Sequence, residues 1–140
     1  MRGAALLDTG PLVAFLNRRD RFHAWAVAQL AEIEPPLLTC EAVLSEACFL
    51  LRHDPAGPDA VLELVHDDLV QVGFHLQTEI VALRRLVRRY SQVPMSLADA
   101  CLVRLAELHA GSVLLTLDSD FKIYRMHGRQ VVPTLMPTSG

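Results

Sequence analysis

The chain is poor in lysine. Of its 13 basic residues, Lys122 is the only lysine and the rest are arginines. Arginine suits bidentate contacts to phosphate, but composition alone does not establish them. There is also no excess of positive charge. The net charge of −3 is unusual for a nucleic-acid binder. That objection weakens if several carboxylates are gathered around bound cations. No apolar run reaches the roughly 18 residues of a membrane span, so none is expected. Asp8 and Gly10-Pro11 interrupt any signal-peptide core near the start. Cys40, Cys48 and Cys101 are odd in number, have no CxxC spacing and sit among apolar residues. Buried free thiols in a cytoplasmic protein are expected rather than disulfides or a thiolate metal site.

Several motifs are missing as well. There is no GxSxG, Walker or GxGxxG sequence, so elbow hydrolases, P-loop enzymes and dinucleotide folds lose support. His23, His53, His66, His75, His109 and His127 show no HExxH or related zinc spacing and read as surface or core residues. No repeats, linkers or low-complexity segments divide the 140 residues, which suit one domain over 1–137 with a short tail at 138–140.

What is present is an alternation of apolar runs and helical patterns. Ala4 to Leu7 reads as a strand buried on both faces. Pro11 is placed to open a helix ending near Asn17. His23 to Ile33 reads as a second helix, stopped by Pro35-Pro36. Leu37 to Thr39 is a short strand. Glu41 to His53 is helical, and Asp54 to Pro58 is a loop. Further helices are expected over Asp59 to Leu69, Thr78 to Tyr90 and Ser96 to His109, with Thr78 and Ser96 as caps and Gly111 as terminator. Ile80, Leu83, Val87 and Tyr90 share one face of the second of these. Val70 to Phe74, Val113 to Leu117 and Gln130 to Val132 complete the strands, before a proline- and threonine-rich tail. The pattern implies an α/β fold, a parallel sheet covered by helices on both faces.

Four carboxylates stand out. Asp8 and Asp118 end apolar strands, where a parallel sheet places its ligands. Glu46 has Ala42, Val43, Phe49 and Leu50 a turn away, and Asp99 has Met95, Leu102 and Val103. A carboxylate on an apolar helix face is costly unless something compensates it. Each has a plainer explanation. Asp99 completes a capping box with Ser96, Glu46 can pair with Arg52, and Asp8 and Asp118 can be turn formers. Together they are more telling, and Asp120 is a fifth candidate. Carboxylates without histidine suit Mg²⁺ or Mn²⁺.

The segments LLDTGPLVAFL, VLSEACFLL, PMSLADACLVRLAE and LLTLDSDF, in this order and spacing, resemble the PIN-domain nucleases, most closely the VapC-type toxins of toxin–antitoxin pairs. The resemblance covers nearly the whole chain and implies a three-layer α/β/α sandwich around a parallel sheet. It places Asp8, Glu46, Asp99 and Asp118 at the family's acidic tetrad and Asp120 at a further acidic position. Thr9 and Thr116 match hydroxyl positions beside the site. The implied activity is metal-dependent hydrolysis of RNA phosphodiester bonds. Asp8, Asp99 and Asp118 would hold one or two Mg²⁺ or Mn²⁺ ions, with Glu46 acting through a bound water.

Lys122 and Arg125, which follow Asp118, and Arg18 are the leading candidates for gripping RNA. Arg84, Arg85, Arg88 and Arg89 suit a solvated helix face. A homodimer and an antitoxin, inserting a basic side chain into the acidic pocket, are the implied protein partners. The alternatives are a non-catalytic PIN module that binds RNA or protein, a PIN nuclease outside any toxin–antitoxin pair, and a metal-dependent phosphatase. A phosphatase of the HAD type needs a DxD at the first strand, which Asp8-Thr9-Gly10 lacks.

Overall fold

The computed structural model describes residues 3–138. Its centre is β1 (Ala5–Leu7), three buried residues matching the apolar run that begins the chain. Parallel neighbours lie on either side: β2 (Leu37–Thr39), in register Leu6 to Leu38, and β4 (Val113–Leu115), in register Leu6 to Leu114. Beyond β2 lies β3 (Val70–Val72), and beyond β4 lies β7 (Thr134–Leu135), giving the order β3-β2-β1-β4-β7. Six α-helices among the described residues flank this sheet in a three-layer α/β/α arrangement. They are α1 (Thr9–Leu16), α2 (His23–Glu32), α3 (Glu41–Leu50), α4 (Gly57–His66), α5 (Ile80–Arg89) and α6 (Leu97–Leu108). The core joins the fully buried Leu6, Leu7, Leu114 and Leu115 of the sheet to Leu12, Val43 and Leu102 of the helices.

The strand order decides where a site can form. The chain moves outward from β1 through β2 to β3, then returns to the other side of β1 as β4. The order therefore reverses between β1 and β4, and the crevice at their carboxyl ends is the topological switch point. Asp8 follows β1 directly and Asp118 follows β4 after Thr116 and Leu117.

Several boundaries differ from the sequence expectation. Helix α1 starts at Thr9, not Pro11, because the Asp8 carboxylate accepts the Thr9 N–H at 2.7 Å and nucleates the helix at once. Helix α3 stops at Leu50, and α4 starts at Gly57, two residues early. Asp54 Oδ1 accepts the Ala56 N–H at 2.9 Å and tightens the turn between them. Gly57 is needed there, since a Cβ would collide with the Leu51 carbonyl.

Thr78 does not cap α5; its hydroxyl meets His75 Nδ1 at 2.7 Å, and α5 begins at Ile80. The buried side of α5 is Leu83 and Leu86, followed by Tyr90, whereas Ile80 and Val87 are exposed. The largest difference is at the end of the chain. Gln130–Val131 (β6) does not join the main sheet but pairs antiparallel with Arg125–Met126 (β5). The turn between them places His127 and Gly128 at positive φ, 51° and 80°. The fifth sheet strand is instead β7, from the segment read as tail, paired at Leu114 to Thr134.

Candidate active site

Asp8 and Asp118 are tied together by one hydroxyl. Thr116 Oγ1 donates to Asp8 Oδ2 at 2.7 Å and accepts the Asp118 N–H at 2.9 Å. With Thr9 N–H on Asp8 Oδ1, the Asp8 carboxylate is held at both oxygens, and Asp8 is only 7% exposed. Burial raises its pKa from 3.8 to about 6; the Thr116 and Thr9 hydrogen bonds oppose the rise, and Asp99 and Asp118 add to it.

Asp99 is delivered by the first turn of α6. The capping box predicted from sequence is formed in full, Ser96 Oγ accepting the Asp99 N–H at 3.0 Å and Asp99 Oδ2 accepting the Ser96 N–H at 3.3 Å. The capping box does not keep Asp99 out of the hollow: the same carboxylate caps α6 and lines it. Asp99 Oδ2 also accepts from Tyr124 Oη at 3.1 Å. Burial raises the Asp99 pKa, and the negative charge of Asp118 adds to the rise.

Tyr124 is the residue sequence reasoning missed. It is fully buried and packed edge-on against Tyr90 and Phe121, with ring centroids 5.1 and 5.4 Å away. Its position three residues after Phe121 is a one-turn spacing, but nothing local in the sequence points from it to Asp99. Because the Tyr124 hydrogen bond lowers the Asp99 pKa, Tyr124→Phe should move it higher still. The acid limb of any activity that needs ionised Asp99 should then shift to higher pH. The cost in stability should be about 1 kcal/mol, one buried hydrogen bond. Titrating Asp99 by NMR in both proteins checks this, and an unmoved pKa would show that the tyrosine does not act on it.

Asp118 is half-buried and caps a short 3₁₀ turn at Ser119–Lys122, its Oδ1 accepting the Asp120 N–H at 2.9 Å. Glu46 departs from expectation. It is exposed, because its apolar neighbours Phe49 and Leu50 are themselves on the surface, 59% and 50% exposed. Nor does Arg52 pair with it, since Arg52 lies over the Phe49 ring at 3.9 Å. Instead Glu46 Oε2 accepts from Thr9 Oγ1 at 3.3 Å, which brings α3 to the start of α1.

These four carboxylates line one hollow of about 550 Å³, together with Thr9, Ser96 and Ser119. Asp120 is half-buried and does not line it. Among the described residues, no three His, Cys, Asp or Glu side chains converge closely enough to enclose an ion. The donor set is nonetheless all carboxylate and hydroxyl oxygen, the chemistry a hard divalent cation takes. Burial is the main cause of the raised Asp8 and Asp99 pKa values, and the smaller repulsion from neighbouring carboxylates that adds to it is what such a cation would remove.

The cations expected to grip RNA lie outside this hollow. Lys122 is exposed. Arg125 donates to the carbonyls of Lys122, Ile123 and Tyr124 and faces a different recess with Arg85, Arg89 and His127. Arg18 faces a neighbouring recess. Arg84, Arg85, Arg88 and Arg89 are exposed along α5, as a solvated face requires. The cysteines are free, Cys40 and Cys101 buried and Cys48 half-buried. Among the described residues, no helix is long and apolar enough to cross a membrane.

A family model described as PIN domain matches residues 5–125. No curated protein matches the chain.

Proposed function

Since the chain belongs to the PIN-domain family, whose domains are generally nucleases, we propose that it is a divalent-metal-dependent endoribonuclease acting at the carboxylate hollow. One observation carries the reading: Asp8, Glu46, Asp99 and Asp118, scattered in sequence, line a single hollow at the switch point of the sheet.

Asp8, Asp99 and Asp118 are the residues to hold Mg²⁺ or Mn²⁺. The chemistry such an ion supplies when bound is activation of water near neutral pH and neutralisation of charge on the phosphate. The chain's own contribution is orientation. Thr116 fixes Asp8 relative to Asp118, and Ser96 with Tyr124 fixes Asp99. Glu46 is the most exposed of the four, and among the described residues its Oε1 has no hydrogen-bond partner. It is the group placed to take a proton at Oε1 or to complete the ion's oxygen set.

The likeness of the motifs to VapC-type toxins further supports the reading as the toxin of a toxin–antitoxin pair. Its implied partners are a second copy of the chain and an antitoxin whose basic side chain enters the hollow.

Cleavage of single-stranded and structured RNA by the purified protein tests the reading. Activity is expected with Mg²⁺ or Mn²⁺, lost in EDTA and restored by excess metal. Cleavage that persists in EDTA, or RNA retained uncut with every metal tried, would overturn it in favour of a binding module.

A further inference from the structure

A second recess, of about 600 Å³, adjoins the carboxylate hollow and shares Leu50 with it as a common wall. Its other lining includes Leu16, Arg18, Arg19, His53 and Asp54. Helix α1 sets its distance from the carboxylates. Asp8 caps the start of α1 and Leu16 ends it, so eight residues at 1.5 Å rise place the recess about 12 Å along the surface.

The cations here are free to bind. Arg18, Arg19 and His53 are exposed, and among the described residues none takes part in an ion pair. The turn that carries the arginines is fixed, Asn17 Oδ1 accepting the Arg19 N–H at 3.1 Å. Asp54, the one acid in the wall, is engaged by the Ala56 N–H. Next to Leu50 in α3 but outside the lining of both recesses, Phe49 is 59% exposed and carries the Arg52 guanidinium 3.9 Å over its ring. Arg52 is pinned there by its bond to the Phe49 carbonyl at 2.8 Å. An exposed ring with a stacked guanidinium is a surface on which an unpaired base can stack.

Without a bound ion, an acidic hollow repels a polyanion rather than drawing it in. Cations outside it must supply the attraction, and these share a wall with it. We infer that this groove, from Leu50 to Arg18 and Arg19, holds the single-stranded RNA segment flanking the scissile bond, with phosphates on the two arginines and a base on Phe49 and Arg52. The inference rests on the nuclease reading for the identity of the strand, but its test does not use cleavage.

Binding of a labelled single-stranded RNA is measured by fluorescence anisotropy over a range of salt. The full chain carrying Asp99→Asn is compared, without metal, with the same protein also carrying Arg18→Ala and Arg19→Ala. Loss of two phosphate contacts should lower the slope of log affinity against log salt by about 1.4. Phe49→Ala in the same background should weaken binding about 5-fold or more with the slope unchanged. Arg84→Ala with Arg88→Ala, on the exposed face of α5, should leave both unchanged.

An unaltered slope in the Arg18/Arg19 variant, or an equal fall in the α5 variant, would overturn the groove while leaving any observed cleavage to stand. A lowered slope beside a wild-type protein that cuts no RNA would do the reverse, keeping the groove and removing the nuclease reading.

Discussion

Asp99→Asn should slow RNA cleavage at least about a hundredfold while the protein still folds. Groups that merely orient metal ligands cost about 10–100-fold when changed, so a carboxylate that holds the ion should cost at least the upper figure. The local structure predicts that folding survives. Asparagine keeps an oxygen that accepts the Ser96 N–H and the Tyr124 hydroxyl, so the cap of α6 is retained. Losing an acidic group from a first helical turn costs about 0.3–1 kcal/mol. Losing a buried carboxylate that resists ionisation offsets this. Steady-state cleavage rates with Mg²⁺, alongside urea denaturation of both proteins, decide the matter. A variant within tenfold of the wild-type rate would remove Asp99 from the metal site.

The second large effect is on stability, and its sign is opposite to the usual one for an acid. Asp8 titrates near 6 in the folded protein against 3.8 when unperturbed. Between these values the folded state binds the proton more tightly than the unfolded state. The stability of the metal-free protein must therefore fall as pH rises through that window, and level off above about 6. The full difference is about 3 kcal/mol. Asp8→Asn removes this slope. At pH 7.5 in EDTA the variant should be up to about 3 kcal/mol more stable than wild type, and near pH 4 the two should converge. It should also be inactive, because it no longer offers a charged oxygen to an ion. Adding Mg²⁺ should stabilise wild type and not the variant. Denaturation midpoints at the two pH values, with and without Mg²⁺, provide the check; parallel pH dependence in the two proteins would show that Asp8 is not the group responsible.

The carboxylates that line the candidate site were more legible in the sequence than the end of the fold. Asp8 and Asp118 were legible because an apolar run broken by an acid is a local pattern, and the sheet puts such positions at its carboxyl edge. Asp99 was legible for two reasons, a capping box and apolar neighbours a turn away. Glu46 was found on a premise the structure reverses. Phe49 and Leu50 look like core in sequence, but α3 turns them to the surface, and only tertiary packing decides which apolar face is covered. Tyr124 was not legible because its role is set by Asp99, 25 positions earlier, and by the ring of Tyr90. Strand β7 was hidden because two residues carry no period. Their strand character comes from β4 and the residue after it, where the Leu114 and Thr116 N–H groups bond to the carbonyls of Pro133 and Leu135. The hairpin of β5 and β6 was missed for the complementary reason, that His127 occupies a left-handed turn usually given to glycine or asparagine.

The bond from Thr116 to Asp8 joins residues 108 positions apart. On a ribosome adding about 5–20 residues per second, roughly 5–20 seconds separate the emergence of the two partners. Throughout that interval β1 has no β4 beside it, and the fourth carboxylate has not been made. A growing fragment that stops short of Asp118 lacks part of the carboxylate hollow, so under the proposed nuclease reading it has no complete set of carboxylates with which to cut the RNA that encodes it.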